Sequence, residues 1–181
     1  MKSKLVFIGA STGGPSLIKE LLCSLDLLSC TIIIAQHMQE DILPFFINDL
    51  KEQVDFKLNA TPINSTLSTP EVIICSKSTK IIKDGKIFRF ETDIKNQKYT
   101  PDINQLFNSF ISYAKDFDTT VIILTGIGCD GVDGAKKLKQ FGAKIVAQDE
   151  LTSPVYGMPK YAYESGIVDD VKSFEEIKKI F

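Results

Sequence analysis

Lys4-Leu5-Val6-Phe7-Ile8-Gly9-Ala10-Ser11-Thr12-Gly13-Gly14-Pro15 joins an apolar run to a glycine-rich turn and a proline. Residues 4–10 read as a strand buried on both faces, the kind that builds parallel sheets. Pro15 then opens a helix, with Leu17, Ile18, Leu21, Leu22 and Leu25 at helical spacing. Between them, Gly9-Ala10-Ser11-Thr12-Gly13 fits Gly-x-Ser-x-Gly after a strand, the turn that holds a serine hydroxyl out toward a substrate.

The alternation continues along the chain. Thr31-Ile32-Ile33-Ile34-Ala35 is a β-branched run ending at Gln36-His37-Met38, and residues 41–52 predict a helix with Pro44 in its first turn. From 57 to 99 the pattern becomes a β excursion. Residues 71–75 and 79–83 read as short strands, and Asp84-Gly85 signals a type I′ hairpin before residues 86–90. Pro101 opens a helix with Ile103, Leu106, Phe107, Phe110 and Ala114 on one face. Strands follow at 121–124 and 144–147, flanking a helix at 132–141 that Gly142 closes. A further helix follows Pro159, and Ser173 with Glu176 has capping-box spacing ahead of Ile177 and Ile180. The fold class expected is α/β: a three-layer, doubly wound, mainly parallel sheet with an inserted antiparallel β-hairpin, residues 1–181 forming a single domain.

Composition narrows the function. The 181 residues are 44% hydrophobic and 24% charged, with formal net charge -2, ordinary for a globular domain. With no basic cluster, nucleic acid is not an expected partner. Lys2 and Lys4 before an apolar run mimic a signal peptide, but the run is too short and meets Gly13-Gly14-Pro15 at once. No apolar run reaches membrane-spanning length, so the chain is not expected to insert in a membrane. Cys23, Cys30, Cys75 and Cys129 form no Cys-x-x-Cys. With one histidine in the chain, no metal site is expected, and free thiols in a reducing cytoplasm are the reading.

Ligands of such sheets bind beyond the carboxyl ends of the strands. Ser11, His37 and Asp130 each follow a strand there. Ser11 fits a nucleophile, or a serine that caps a helix or holds an anion. His37, the only histidine, fits the base such a serine needs, or a structural role. Asp130 lies in Gly126-Ile127-Gly128-Cys129-Asp130-Gly131, which also matches Gly-x-Gly-x-x-Gly with Asp149 about 20 residues on, the dinucleotide fingerprint. That rival leaves Ser11 and His37 unexplained and places the fingerprint late in the chain. Asp130 also fits a carboxylate at a helix N-terminus. Cys129 is an alternative nucleophile, but adjacent Asp130 disfavours its thiolate, and it reads as a buried or spectator thiol.

With these stretches in view, the sequence resembles the catalytic domain of the chemotaxis protein-glutamate methylesterases, the CheB family. Residues 9–15, Gln36-His37-Met38, Tyr99-Thr100-Pro101-Asp102 leading into Leu106-Phe107, residues 124–131, and Gln148-Asp149-Glu150 followed by Val155-Tyr156-Gly157-Met158-Pro159 carry it. The resemblance implies a Ser11-His37-Asp130 triad hydrolysing glutamyl methyl esters on cytoplasmic regions of methyl-accepting chemotaxis receptors, with deamidation of glutamines as a further activity. It implies no cofactor, and a cytoplasmic location. Backbone amides of Thr12 and Ile127 are the implied oxyanion donors, with Gly13 and Gly128 beside them. A receptor adaptor without catalysis is the third class of function.

The chain departs from the family in three ways. The family's Gly-Met-Gly is Gly126-Ile127-Gly128, and its Ala-Pro-Gly-Gly-like stretch reads Cys75-Ser76-Lys77-Ser78. The family's phospho-acceptor receiver, a domain of roughly a hundred residues or more, has no counterpart in residues 1–181. The expectation is therefore activity without phosphorylation.

Overall fold

The computed structural model describes residues 2–92 and 99–181. Its elements run β1 (Lys4–Ala10), α1 (Gly14–Cys23), β2 (Thr31–Gln36), α2 (Leu43–Lys51), β3 (Leu58–Ala60), β4 (Ile63–Ser65), β5 (Val72–Ile74), β6 (Thr79–Asp84) and β7 (Ile87–Thr92). They continue with α3 (Ile103–Phe110), β8 (Asp118–Ile123), α4 (Val132–Gln140), β9 (Lys144–Gln148), α5 (Met158–Glu164), β10 (Asp170–Lys172) and α6 (Phe174–Lys178). A seven-stranded sheet has the order β10-β9-β8-β1-β2-β5-β3, with every pairing parallel. A second, antiparallel sheet has the order β4-β7-β6.

β1 lies at the centre because its side chains are apolar in both directions. Leu5 and Phe7 enter a core shared with α3, α4, α5 and the antiparallel sheet. Val6, Ile8 and Ala10 enter a second core with α1, α2 and α6. Two cores on opposite faces of one sheet make the three layers, as expected. Phe7 anchors the first core, its ring 5.7 Å from Phe107 and 5.0 Å from Phe110 in edge-on and tilted contacts.

Two expectations change. Residues 71–75 are not part of a separate excursion: β5, together with β3, extends the parallel sheet beyond β2. Residues 93–98, within the stretch read as the excursion, lie outside the described residues. The hairpin between β6 and β7 is not type I′. Gly85 has φ 60° while Lys86 is not among the residues of positive φ, the pattern of type II′, in which only the first central residue is left-handed. The capping box at the last helix is present: Ser173 accepts from the Glu176 N–H, and Glu176 accepts from the Ser173 N–H.

The four cysteines are free thiols, Cys30 and Cys75 buried and Cys23 and Cys129 exposed. Cys129 is thus not a buried thiol, because it lies on the open loop after β8. Burial pushes the Cys75 thiol up to about 12 and also raises Cys30. An aromatic disulfide reagent at mildly alkaline pH should therefore modify Cys23 and Cys129 in the native protein, and Cys30 and Cys75 only on unfolding. Modification of Cys75 in native buffer would contradict this packing.

Candidate functional site

The carboxyl rim is where β1, β2 and β8 release their chains together. Ser11 follows β1, and its N–H donates to the Thr125 carbonyl at 2.9 Å, so the turn stays mounted on the β8 side. Its carbonyl accepts the Gly14 N–H at 2.8 Å, closing the turn into α1. His37 follows β2, its N–H donating to the Ala10 carbonyl at 2.9 Å. A cleft of about 770 Å³ opens at this rim, lined by Ser11, His37, Tyr99, Ile127 and Gly128, with Glu40 and Asp41 at its lip.

Asp130 lies behind His37. His37 Nε2 and Asp130 Oδ2 are 2.8 Å apart. The carboxylate is 3% exposed, yet every oxygen is served. Oδ2 also accepts the Ile103 N–H at 2.9 Å, and Oδ1 accepts the N–H groups of Asn104 at 3.0 Å and Gly131 at 2.8 Å. The first two donors come from the start of α3, whose first N–H groups have no intrahelical partner, and the third from the residue that opens α4. Asp102, the N-cap of α3, takes that helix's third N–H by accepting from Gln105 N–H at 2.6 Å. Gly131 lets α3 come this close: its φ is 88°, and a Cβ there would meet Ile103 Cγ2 at 2.6 Å. Burial pushes the Asp130 carboxyl up, but the hydrogen bonds from His37, Ile103 and Asn104 outweigh it and hold it below the usual carboxylate range. Asp102 moves the other way. Burial raises it, the Gln105 bond opposes, and the charge of Asp130 raises it further.

The predicted residues divide. Ser11, His37, Ile127 and Gly128 line the cleft, and Asp130 backs it. Thr12 is exposed, with its carbonyl held by Thr125 Oγ1 at 2.9 Å. Gly13 faces the loop across from it, where a Cβ would meet Pro154 at 2.8 Å.

Other residues complete the site. The Tyr99 ring stacks on His37, centroids 5.1 Å apart and planes 3° from parallel. Thr125 Oγ1 also accepts the Val155 N–H at 2.9 Å, and the buried Gln148 accepts the Thr125 N–H at 3.0 Å. The readable signal for Gln36 and Gln148 is a polar residue that ends a strand directly after an apolar run. Nothing in the sequence marks Tyr99 as a partner of His37.

The dinucleotide reading is not favoured. Asp130 Oδ1 takes the Gly131 N–H at the start of α4, setting a carboxylate where a pyrophosphate would have to sit. Asp149 is turned instead to Thr152, accepting its N–H at 2.9 Å and its hydroxyl at 2.5 Å.

Fold and rim define a class: a doubly wound α/β protein that gathers a serine, a histidine and a buried aspartate at the carboxyl edge of its sheet. The family model for CheB methylesterase matches residues 6–181, and the chain belongs to that family. It is similar to the protein-glutamate methylesterase/protein-glutamine glutaminase 1 of Saccharophagus degradans, 34% identical over 96% of this chain and 48% of that protein. The corresponding protein of Sulfurimonas denitrificans is 32% identical over 97% of this chain and 51% of its own length. The chain thus spans about half the length of these curated relatives. The Thermotoga maritima CheB methylesterase catalytic domain superposes with a TM-score of 0.82 at 24% identity, over 99% of this chain and 97% of that one, and shows the same fold. Among the described residues no helix is long and apolar enough to cross a membrane.

Proposed function

We propose that residues 1–181 form one catalytic unit that hydrolyses glutamyl methyl esters, and deamidates glutamines, on the cytoplasmic regions of methyl-accepting chemotaxis receptors. The observation that carries this reading is the 2.8 Å His37–Asp130 pair with Ser11 in the same cleft. Asp130 engages Nε2, so Nδ1 is the nitrogen left to take the Ser11 proton. Ser11 Oγ attacks the side-chain carbonyl as that proton moves to His37. His37 then protonates the departing methanol, or ammonia from a glutamine. Water hydrolyses the glutamyl-serine ester by the reverse path, leaving a glutamate and the free serine. Asp130 fixes the histidine tautomer and stabilises the imidazolium without taking its proton. Amides of Thr12 and Ile127 serve as oxyanion donors, with Gly13 and Gly128 leaving room beside them. No cofactor takes part in this scheme. In this reading the chain works in the cytoplasm, where its receptor substrates present their methylated helices.

Purified protein mixed with methylated receptor membranes should release methanol in proportion to protein added. Receptor binding with no methanol released would replace the enzyme with an adaptor. Tight binding of NAD or NADP that Gly128→Ala removes and Ser11→Ala leaves intact would restore the dinucleotide reading.

A further inference from the structure

The parallel ladder between β1 and β2 ends with the His37 N–H on the Ala10 carbonyl. Beyond it the two chains part, and the carbonyls of Ser11 and His37 lie past the reach of the ladder. The side chain of Gln36, 1% exposed, fills the fork. Its Nε2 donates to the Ser11 carbonyl at 2.9 Å and to the His37 carbonyl at 2.8 Å, which uses both hydrogens of the carboxamide. Its Oε1 is buried and has no hydrogen-bond partner among the described residues. Burying an amide oxygen unpaired is unfavourable. The side chain is therefore present for its donors, at the expense of its acceptor.

Resting on the ester-hydrolysis reading above, we propose that Gln36 is a positioning residue that ties the backbones of Ser11 and His37 into one rigid unit. A neutral head with two hydrogens on one nitrogen is what two diverging carbonyls need. A glutamate of the same length would set negative charge against both. Gly14 belongs to the same device. It opens α1 without a left-handed φ, so an alanine suits its backbone, but a Cβ there would stand 2.0 Å from Gln36 Oε1 and 2.9 Å from Ala10 Cβ. The far end of Gln36 is the group able to yield, and yielding breaks the tie. Gly14 is thus the space that lets the carboxamide sit between nucleophile and base.

The test uses Gln36→Met, which keeps length and loses both donors, and Gly14→Ala, which displaces the carboxamide. Methanol release from methylated receptor membranes gives kcat and KM, and a fluorophosphonate that phosphonylates activated serines reports Ser11 directly. Each variant should lose kcat by roughly 10- to 100-fold with KM within about twofold, since a small misplacement of reacting groups acts on the chemical step. Phosphonylation of Ser11 should slow by the same factor, and the double variant should be no slower than the worse single one. Either folded variant with kcat and phosphonylation within about twofold of the parent overturns the proposal, as does a loss confined to KM. If Gln36→Met does not fold, Gly14→Ala decides alone. A parent protein phosphonylated at Ser11 that releases no methanol defeats the substrate reading, and the phosphonylation rates then judge the tie. A parent that does neither overturns both.

Discussion

Methanol release should fall by roughly 10⁴- to 10⁶-fold in Ser11→Ala and in His37→Ala, and no further when the two are combined. The serine is a poor nucleophile until its proton has somewhere to go, and the histidine has no proton to relay without the serine. Either change therefore removes the same step, leaving the part of the acceleration that comes from binding and oxyanion contacts. Folding should survive both. Ser11 holds its turn through its own N–H and carbonyl, which alanine keeps. Losing the His37 ring costs its stacking on Tyr99 and one of the bonds to Asp130 Oδ2, but that oxygen retains the Ile103 N–H. Melting within about 5 °C of the parent is expected for changes of this kind. Losses that multiply in the double variant, or a Ser11→Ala protein with a tenth of the parent rate, would mean that the two residues do not act as a unit.

The sequence disclosed elements whose signal is local. β1 and β2 are legible because residues 4–10 and 31–35 are apolar without interruption, which double burial demands. Helix α3 is legible because Ile103, Leu106, Phe107 and Phe110 fall on one face, and α6 because Ser173 and Glu176 announce its start. β3, β4 and β10 are three residues each, too short to carry a period. β5 was visible as a strand, but nothing in residues 71–75 says which sheet it joins. That choice is made by the Ile32, Ile33 and Ile34 backbone beside it. The turn at Gly85 is legible as a turn but not in its type, because Asp-Gly suggests I′ when the glycine is second of the two central residues, and here it is first.

The site divides in the same way. Ser11 and His37 each stand beside a strand end, so the rule for doubly wound sheets brings them to one rim. Asp130 could be placed on that rim and, through the family resemblance, in a triad with His37, but its donors Ile103 and Asn104 could not be read, because they arrive from α3, more than twenty residues earlier in the chain. The start of that helix does two jobs with one set of orphan N–H groups: it completes its own hydrogen bonding and holds a buried carboxylate in its charged form. Gln36, Tyr99 and Thr125 escape a linear reading for the same reason. Each acts on a residue that only the fold brings near.

Asp130→Asn should cost roughly 10³- to 10⁴-fold in kcat and also weaken the fold. In the parent, four N–H groups converge on two carboxylate oxygens: His37 and Ile103 on Oδ2, Asn104 and Gly131 on Oδ1. An asparagine has one oxygen, so whichever way it turns, its NH₂ faces donors. Turned toward Asn104 and Gly131, it leaves both backbone N–H groups unpaired, at about 1–3 kcal/mol for the buried Gly131 N–H. Turned toward His37, it forces Nε2 to accept, which puts the ring proton on Nδ1 and removes the site that should take the Ser11 proton. The acid behaviour follows from the carboxyl being held below the usual range. A carboxyl with a depressed folded value adds stability that is fully present above its unfolded value, about 3.9, and lost as pH falls toward the folded one. The gap in melting temperature between parent and Asp130→Asn should therefore narrow as pH falls from about 5 to below about 4. A gap that widens in acid would show that Asp130 is not held charged by these donors. A variant retaining a tenth of the parent rate would show that His37 is oriented by something else.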